Sequence, residues 1–294
     1  MSAGSYLDFE NQFRGDESVI SERLSQYLPF LGCLDPTITT KHAIDLGCGR
    51  GEWLELAGRQ GFHAIGVEQD PDMARHLKCK SLRVWEGSAT EFFNSQSDCS
   101  CALVTAFHLV EHLPSDALDS ILREAYRVLG PGGMLILETP NPDNFRVASC
   151  NFYTDPTHIA PLPAHLLEYK VKAAGFDAVE SFGLQADPAL LGGKEITLWD
   201  VLTGASPDLA LVAGKSMDRK QALKMAQCAG AVCGNVSTLA LATRFDQQLR
   251  APRDTAKMSA GSSGDLEAMR NSLSWRITAP LRAIADLLIG NRRP

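Results

Sequence analysis

No apolar run in this chain of 294 residues is long enough to cross a bilayer. Met1 to Arg14 is polar and mixed, without the charged-then-apolar order of a secretion signal. A basic excess is also missing. Twenty-eight lysines and arginines stand against 35 acids, a net charge of −7 that argues against broad nucleic-acid binding. The eight cysteines show no zinc-ligand spacing, since Cys99-Ser-Cys101 and the Cys228/Cys233 pair lack partners. They read as reduced, mostly buried thiols in a cytoplasmic protein, and no metal is expected. Apolar residues supply 45% of the sequence, enough for one large core with an appendage.

The most informative run is Ala43-Ile-Asp-Leu-Gly-Cys-Gly-Arg-Gly-Glu52. It reads as a buried strand, a glycine-rich turn and a helix start. That combination brings backbone N–H groups close to a nucleotide-like ligand. A second apolar run ends in Glu68, 23 residues after Asp45. A carboxylate there can accept both hydroxyl protons of a ribose. The turn departs from the dinucleotide pattern G-x-G-x-x-G. Asp45, just before it, suits a cationic amine better than a pyrophosphate. S-adenosylmethionine carries both groups.

Alternating strands and helices predict an α/β fold with a doubly wound, mostly parallel seven-stranded sheet. Strands are expected at His42–Leu46, Ala64–Glu68, Leu82–Trp85, Cys101–Ala106 and Met134–Glu138, with an antiparallel edge pair at Phe176–Phe182 and Leu209–Ala213. Helices are expected at Glu52–Gln60, at Asp116–Leu129 with Ser115 as its cap and Gly130–Gly133 as its stop, and at His165–Ala174. Thr139–Pro163 shows no periodicity and reads as a functional loop, and Gly183–Pro207 as a second flap. The organisation that follows is an N-terminal helical segment at 1–40, the catalytic domain at 41–215, a helical extension at 216–250, a linker at 251–265 and an amphipathic tail at 266–294. The last segments are expected to lie outside the catalytic core.

Candidate cofactor contacts are Arg14, whose guanidinium suits a carboxylate, then Asp45, Gly47, Cys48, Gly49, Glu68, Gln69, Ser88, Ala89, Phe107 and His108. Candidate catalytic groups are His158, as the foremost base near neutral pH, His112, Tyr153 over a sulfonium, and Asp155.

The runs Phe13-Arg-Gly15, Asp45-Leu-Gly-Cys-Gly-Arg-Gly51, Phe107-His-Leu-Val-Glu-His112, Glu138-Thr-Pro-Asn-Pro142 and Asn151-Phe-Tyr-Thr-Asp-Pro-Thr-His158 resemble class I S-adenosylmethionine-dependent methyltransferases. In particular they resemble the methyltransferase domain of bacterial O-antigen chain-terminating and surface-polysaccharide enzymes, over residues 9–215. The resemblance implies S-adenosylmethionine as cofactor and an O-methylated glycan or lipid-linked polysaccharide as acceptor, capped at its non-reducing end. Ser88 stands where that family often has an aspartate for the adenine. No kinase signature is legible, which favours a sugar hydroxyl; a phosphate made by a separate kinase is the alternative acceptor. Ser272–Arg282 resembles a segment of polysaccharide-assembly and glycosyltransferase proteins. It implies docking to a glycosyltransferase or to the inner face of the cell membrane. A small-molecule methyltransferase of quinone or natural-product type, and a non-catalytic scaffold, are the other two classes the sequence admits.

Overall fold

The structure is a computed structural model that describes residues 15–38 and 40–250. The chain divides into two compact units, the first ending at Phe245 and the second beginning at Asp246. Arg14 and the tail segments at 251–265 and 266–294 lie outside the described residues.

The first unit is built on a seven-stranded sheet in the order β3-β2-β1-β4-β5-β7-β6. The strands are β1 His42–Leu46, β2 His63–Glu68, β3 Val84–Glu86, β4 Cys101–Phe107, β5 Leu129–Pro140, β6 Ala178–Leu184 and β7 Asp208–Gly214. β1 to β5 run parallel, and β7 lies antiparallel between β5 and β6. Strand order reverses between β1 and β4, which opens a crevice at the carboxyl edge of the sheet.

Period-two alternation sorts the central strands onto two cores. Ile44, Val104, Ala106, Leu135 and Leu137 face one layer, while Ala43, Leu103, Met134, Ile136 and Val212 face the other. The first layer takes its helices from α5 (Ala89–Asn94), α6 (Ser115–Val128) and α8 (Ala164–Ala173). The second takes them from α1 (Glu17–Ser25), α2 (Leu28–Leu31), α3 (Glu52–Arg59) and α10 (Arg219–Ala231). α4 (Pro71–Cys79) follows β2, and Asp70 caps it by accepting from the Asp72 and Met73 amides.

Four expectations are corrected here. Ser115 does not cap α6; Pro114 holds that position, and the Ser115 hydroxyl accepts from Lys170 Nζ at 2.9 Å. Gly130–Gly133 does not stop that helix but lies in the first part of β5, because Lys215 Nζ serves the α6 end by donating to the Tyr126 carbonyl at 2.7 Å and to Leu129. The 139–163 stretch is more ordered than its lack of periodicity suggests. It contains α7 (Phe145–Ser149) and a 3₁₀ turn at Asn151–Thr154. The helical extension is also not external to the core: Met225 and Ala229 of α10 are buried with Phe30 and Phe182.

The β6–β7 connection carries α9 (Leu198–Thr203), capped by a Thr197–Asp200 box, over a small core of Leu190, Ile196, Val201, Val236 and Leu241. A break at 232–237 separates α10 from α11 (Thr238–Arg250), with Gly234 at φ 84°.

Candidate cofactor and methyl-transfer site

The turn after β1 is fastened to the end of β2. Gly47 N and Cys48 N both donate to the Val67 carbonyl, at 2.9 and 3.4 Å. Gly51 starts α3 at φ 87°, and a Cβ there would lie 2.6 Å from Leu77 and Leu82; only glycine meets both conditions. Glu68, at the tip of β2, receives Gly49 N at 3.3 Å on one carboxylate oxygen and Asp70 N at 2.9 Å on the other. Those bonds fix the plane of its carboxylate, an acceptor-only group of the kind a diol requires.

A cleft of about 480 Å³ opens above this turn, within the range of small-ligand sites. Gly47, Gly49, Glu68 and Gln69 line one side; Phe107, His108, Leu109, His112 and Thr157 line the other. A Cβ on Gly47 would reach 3.0 Å from Leu109 and narrow the cleft. The donor set suits S-adenosylmethionine. Glu68 would hold the ribose hydroxyls, and the glycine backbone would pass close beside the methionine portion.

The floor of the cleft is a buried charge cluster assembled from four places in the chain. His108 leaves β4 in a left-handed conformation, φ 53°, with its amide bonded to the Glu138 carbonyl at 2.8 Å. Its Nδ1 lies 3.2 Å from Glu111 Oε1 and its Nε2 lies 3.2 Å from Glu138 Oε1, with Asp208 Oδ1 at 3.8 Å. Burial alone would depress this imidazole, but the hydrogen bonds to Glu111 and Glu138 and the charge of Asp208 outweigh it and hold the pKa well above the usual histidine value. His108 is therefore an imidazolium donating from both nitrogens. Burial raises Asp208 to about 6, with His108 acting against the rise and Glu138 adding to it. Glu138 also accepts from the hydroxyl of fully buried Tyr27, and Thr139 Oγ1 donates to Glu111 Oε2 at 3.0 Å. Three carboxyl groups face His108, and Arg23 adds a second positive charge acting on Asp208, so the floor keeps a small excess of negative charge that suits a sulfonium.

His112 stands at the wall. Its Nδ1 lies 2.9 Å from Thr157 Oγ1, whose own proton goes to Asp155 Oδ1 at 2.6 Å. Thr157 must then accept from His112, so the imidazole carries its proton on Nδ1 and presents the Nε2 lone pair. Burial, reinforced by neighbouring His158, holds the His112 pKa below its ordinary value. The ring is neutral at neutral pH and able to take a proton.

The remaining candidates are placed as follows. Asp45 is buried at the end of β1 and accepts from Thr105 Oγ1 at 2.6 Å, behind the lining rather than in it. Cys48 is packed with Leu54 and Leu77 on the far side of the turn. Ser88 spends its hydroxyl on a capping box with Glu91, and Ala89 is the first residue of α5; neither lines the cleft. His158, the foremost base in the sequence, has Nδ1 on the Phe152 carbonyl at 2.6 Å and its ring against Phe152, and it too lies behind the lining. Tyr153 is 65% exposed on its turn, and Asp155 acts through Thr157. Two trios of metal-ligating side chains come within reach of one another, Glu111–His112–His158 and His108–Glu138–Asp208, a proximity that linear spacing did not disclose. Tyr27, Thr105, Thr157 and Asp208 were missed altogether. The only available signal for Thr157 was its place inside the Thr-Asp-Pro-Thr-His run.

Residues 17–181 match the family model described as a methyltransferase domain. A probable S-adenosylmethionine-dependent methyltransferase of Mycobacterium tuberculosis is 29% identical over 184 residues, 63% of this chain and 62% of that protein. The mitochondrial ubiquinone biosynthesis O-methyltransferase of Rattus norvegicus is 32% identical over 107 residues, 33% of this chain and 30% of the relative. The chain thus spans less than two thirds of the length of these relatives. Among solved structures, a SAM-dependent methyltransferase from Archaeoglobus fulgidus superposes with a TM-score of 0.62 at 27% identity, covering 72% of this chain and 100% of that one.

Proposed function

Because the chain belongs to the class I S-adenosylmethionine-dependent methyltransferase family, we propose that it moves the methyl group of that cofactor onto a hydroxyl oxygen of a bacterial surface glycan, at the non-reducing terminal sugar. The observation that carries an oxygen acceptor is His112, a neutral ring that lines the cleft defined by Glu68 and the glycine turn and whose Nδ1 is held by Thr157.

S-adenosylmethionine supplies an electrophilic methyl on a sulfonium, with a neutral thioether as leaving group. The chain supplies alignment and proton removal. Glu68 would hold the ribose hydroxyls. The floor of Glu111, Glu138 and Asp208 favours the positive charge in the ground state. His112 would take the proton of an acceptor hydroxyl placed in the cleft, at its Nε2. Thr157 and Asp155 hold the tautomer that makes this possible. A phosphate oxyanion would need no such base.

The test is transfer of labelled methyl to lipid-linked glycan from a strain lacking the gene. Label on a terminal sugar hydroxyl supports the proposal, and label on phosphate overturns its acceptor chemistry. An unlabelled glycan with cofactor bound would favour a small-molecule acceptor of quinone or natural-product type. The likeness to the ubiquinone biosynthesis enzyme over a third of this chain supports that second reading.

A further inference from the structure

A second cleft, of about 460 Å³, opens beside the first at the same edge of the sheet. It is reached from the ends of β5 and β7. Asn141 lines it and lies three residues beyond Glu138, at most about 10 Å along an extended chain. Leu209 lines it and is adjacent to Asp208. One pair of strand ends therefore serves the floor of the first cleft and the wall of the second. Nothing in the cofactor reading uses this space.

Its chemistry is specific. The polar lining consists of Asn141, Asp143, His165, Ser181, Asn235 and Ser237. Ser181 Oγ donates to Glu168 at 2.6 Å and the Asn141 amide is held by Ser206 and Asp143, so Asp143, His165, Asn235 and Ser237 are the groups that meet a ligand. None of the described residues lining it is lysine or arginine. Several of these groups are fastened by the fold. Asn235 Oδ1 accepts from Gly183 N at 2.9 Å, which sets the amide plane and turns its NH₂ group to other partners. Asp143 Oδ2 accepts from Thr238 N at 3.0 Å. The His165 ring, on the first turn of α8, has no hydrogen-bond partner among the described residues and is exposed. Between these groups lie Pro142, Pro163 and Val236, flat or branched apolar surfaces suited to C–H groups. A sugar ring has this mixed character, with hydroxyls at its rim that donate and accept and with C–H faces. An anion is less well served. The α8 N-terminus offers about half a positive charge, and the Asp143 side chain on the same lining is acidic.

We propose that this second cleft binds a neutral pyranoside unit of the acceptor, one removed from the residue that is methylated. The inference rests on the methyltransferase reading above and extends it to the acceptor. It makes a chain of at least two sugars, rather than a phosphate ester or a flat phenol, the ligand this face recognises.

Amide NMR spectra of the full chain test it, with methyl α-mannopyranoside, methyl α-rhamnopyranoside, methyl α-glucopyranoside, N-acetylglucosamine and inorganic phosphate as separate probes at millimolar concentration. The expected result is a saturable shift of the Ser181, Gly183 and Asn235 amides with one or more pyranosides and none with phosphate. Ala164→Trp, which fills the cleft, removes the response. His165→Ala weakens it several-fold and decides the matter if the tryptophan variant fails to fold. S-adenosylmethionine shifts the Gly47, Gly49 and Gln69 amides equally in native and variant proteins, so failure of the cofactor reading is seen separately. The proposal is overturned by no pyranoside response, by a phosphate response at these amides, or by a pyranoside response that survives in a folded Ala164→Trp protein.

Discussion

Replacing Asp208 by asparagine should stabilise the protein, and by an amount that grows with pH. Asp208 is largely buried beside Glu138, and its carboxyl is raised from 3.8 to about 6. A carboxyl raised on folding contributes stability below its unfolded pKa and loses it as pH rises toward the folded value. The cost of carrying the charge is then small at pH 4, grows through pH 5 and 6, and is on the order of 3 kcal/mol by pH 8. For a domain of this size each kcal/mol moves the melting temperature by roughly 2–4 °C. Asp208→Asn should therefore melt about 6–12 °C above the native protein at pH 8 and within a few degrees of it at pH 4. Differential scanning fluorimetry across that range reads the effect directly. A gain that is the same at pH 4 and pH 8, or a lower melting temperature at pH 8, would refute the argument that burial beside another carboxylate makes this charge costly. The same variant should bind S-adenosylmethionine a few-fold more weakly, because the floor has lost one negative charge, while the uncharged thioether product binds as before.

Glu68→Ala should lower cofactor affinity roughly 10²- to 10⁴-fold by calorimetry, the worth of two hydrogen bonds to a charged acceptor, with the circular dichroism spectrum intact. His112→Ala should cost about 10²–10⁴ in kcat with cofactor binding retained; an unchanged kcat would remove His112 from the mechanism. Native activity on a hydroxyl acceptor should persist below pH 6.5, since burial lowers the His112 pKa, and Thr157→Val should lower kcat and shift that acid limb without changing the cofactor Kd. Gly66→Ala should destabilise by about 1–3 kcal/mol, because its Cβ would lie 2.3 Å from Cys48 Sγ. Combining it with Cys48→Ala should recover part of the loss in chemical denaturation.

The features legible in the sequence were those written in one continuous stretch. The glycine turn, the β2 carboxylate and β1 itself depend on neighbours a few residues away, and β1 was placed at its observed bounds. The charge cluster was not legible. His108, Glu138, Asp208 and Tyr27 come from β4, β5, β7 and the segment joining α1 to α2, and only the sheet order makes them neighbours. The surroundings of the two histidines were hidden for a related reason. His158 and His112 look equally basic in a string, but one ring is committed to the Phe152 carbonyl and the other is oriented by a threonine 45 residues away. The α6 end was misplaced because a lysine from beyond β7 does the work usually assigned to a local glycine.

Asn141 and Asn144 donate to the carbonyls of Ser206, Thr203 and Ala205. The loop after β5 is thereby stitched to the connection between β6 and β7. For anyone exchanging acceptor preference between relatives, this makes the rim a single transplantable piece. Replacing 141–163 alone would leave the carbonyls of Thr203, Ala205 and Ser206 dependent on whatever donors the incoming loop brings, whereas exchanging it together with 183–207 carries both halves of the seam.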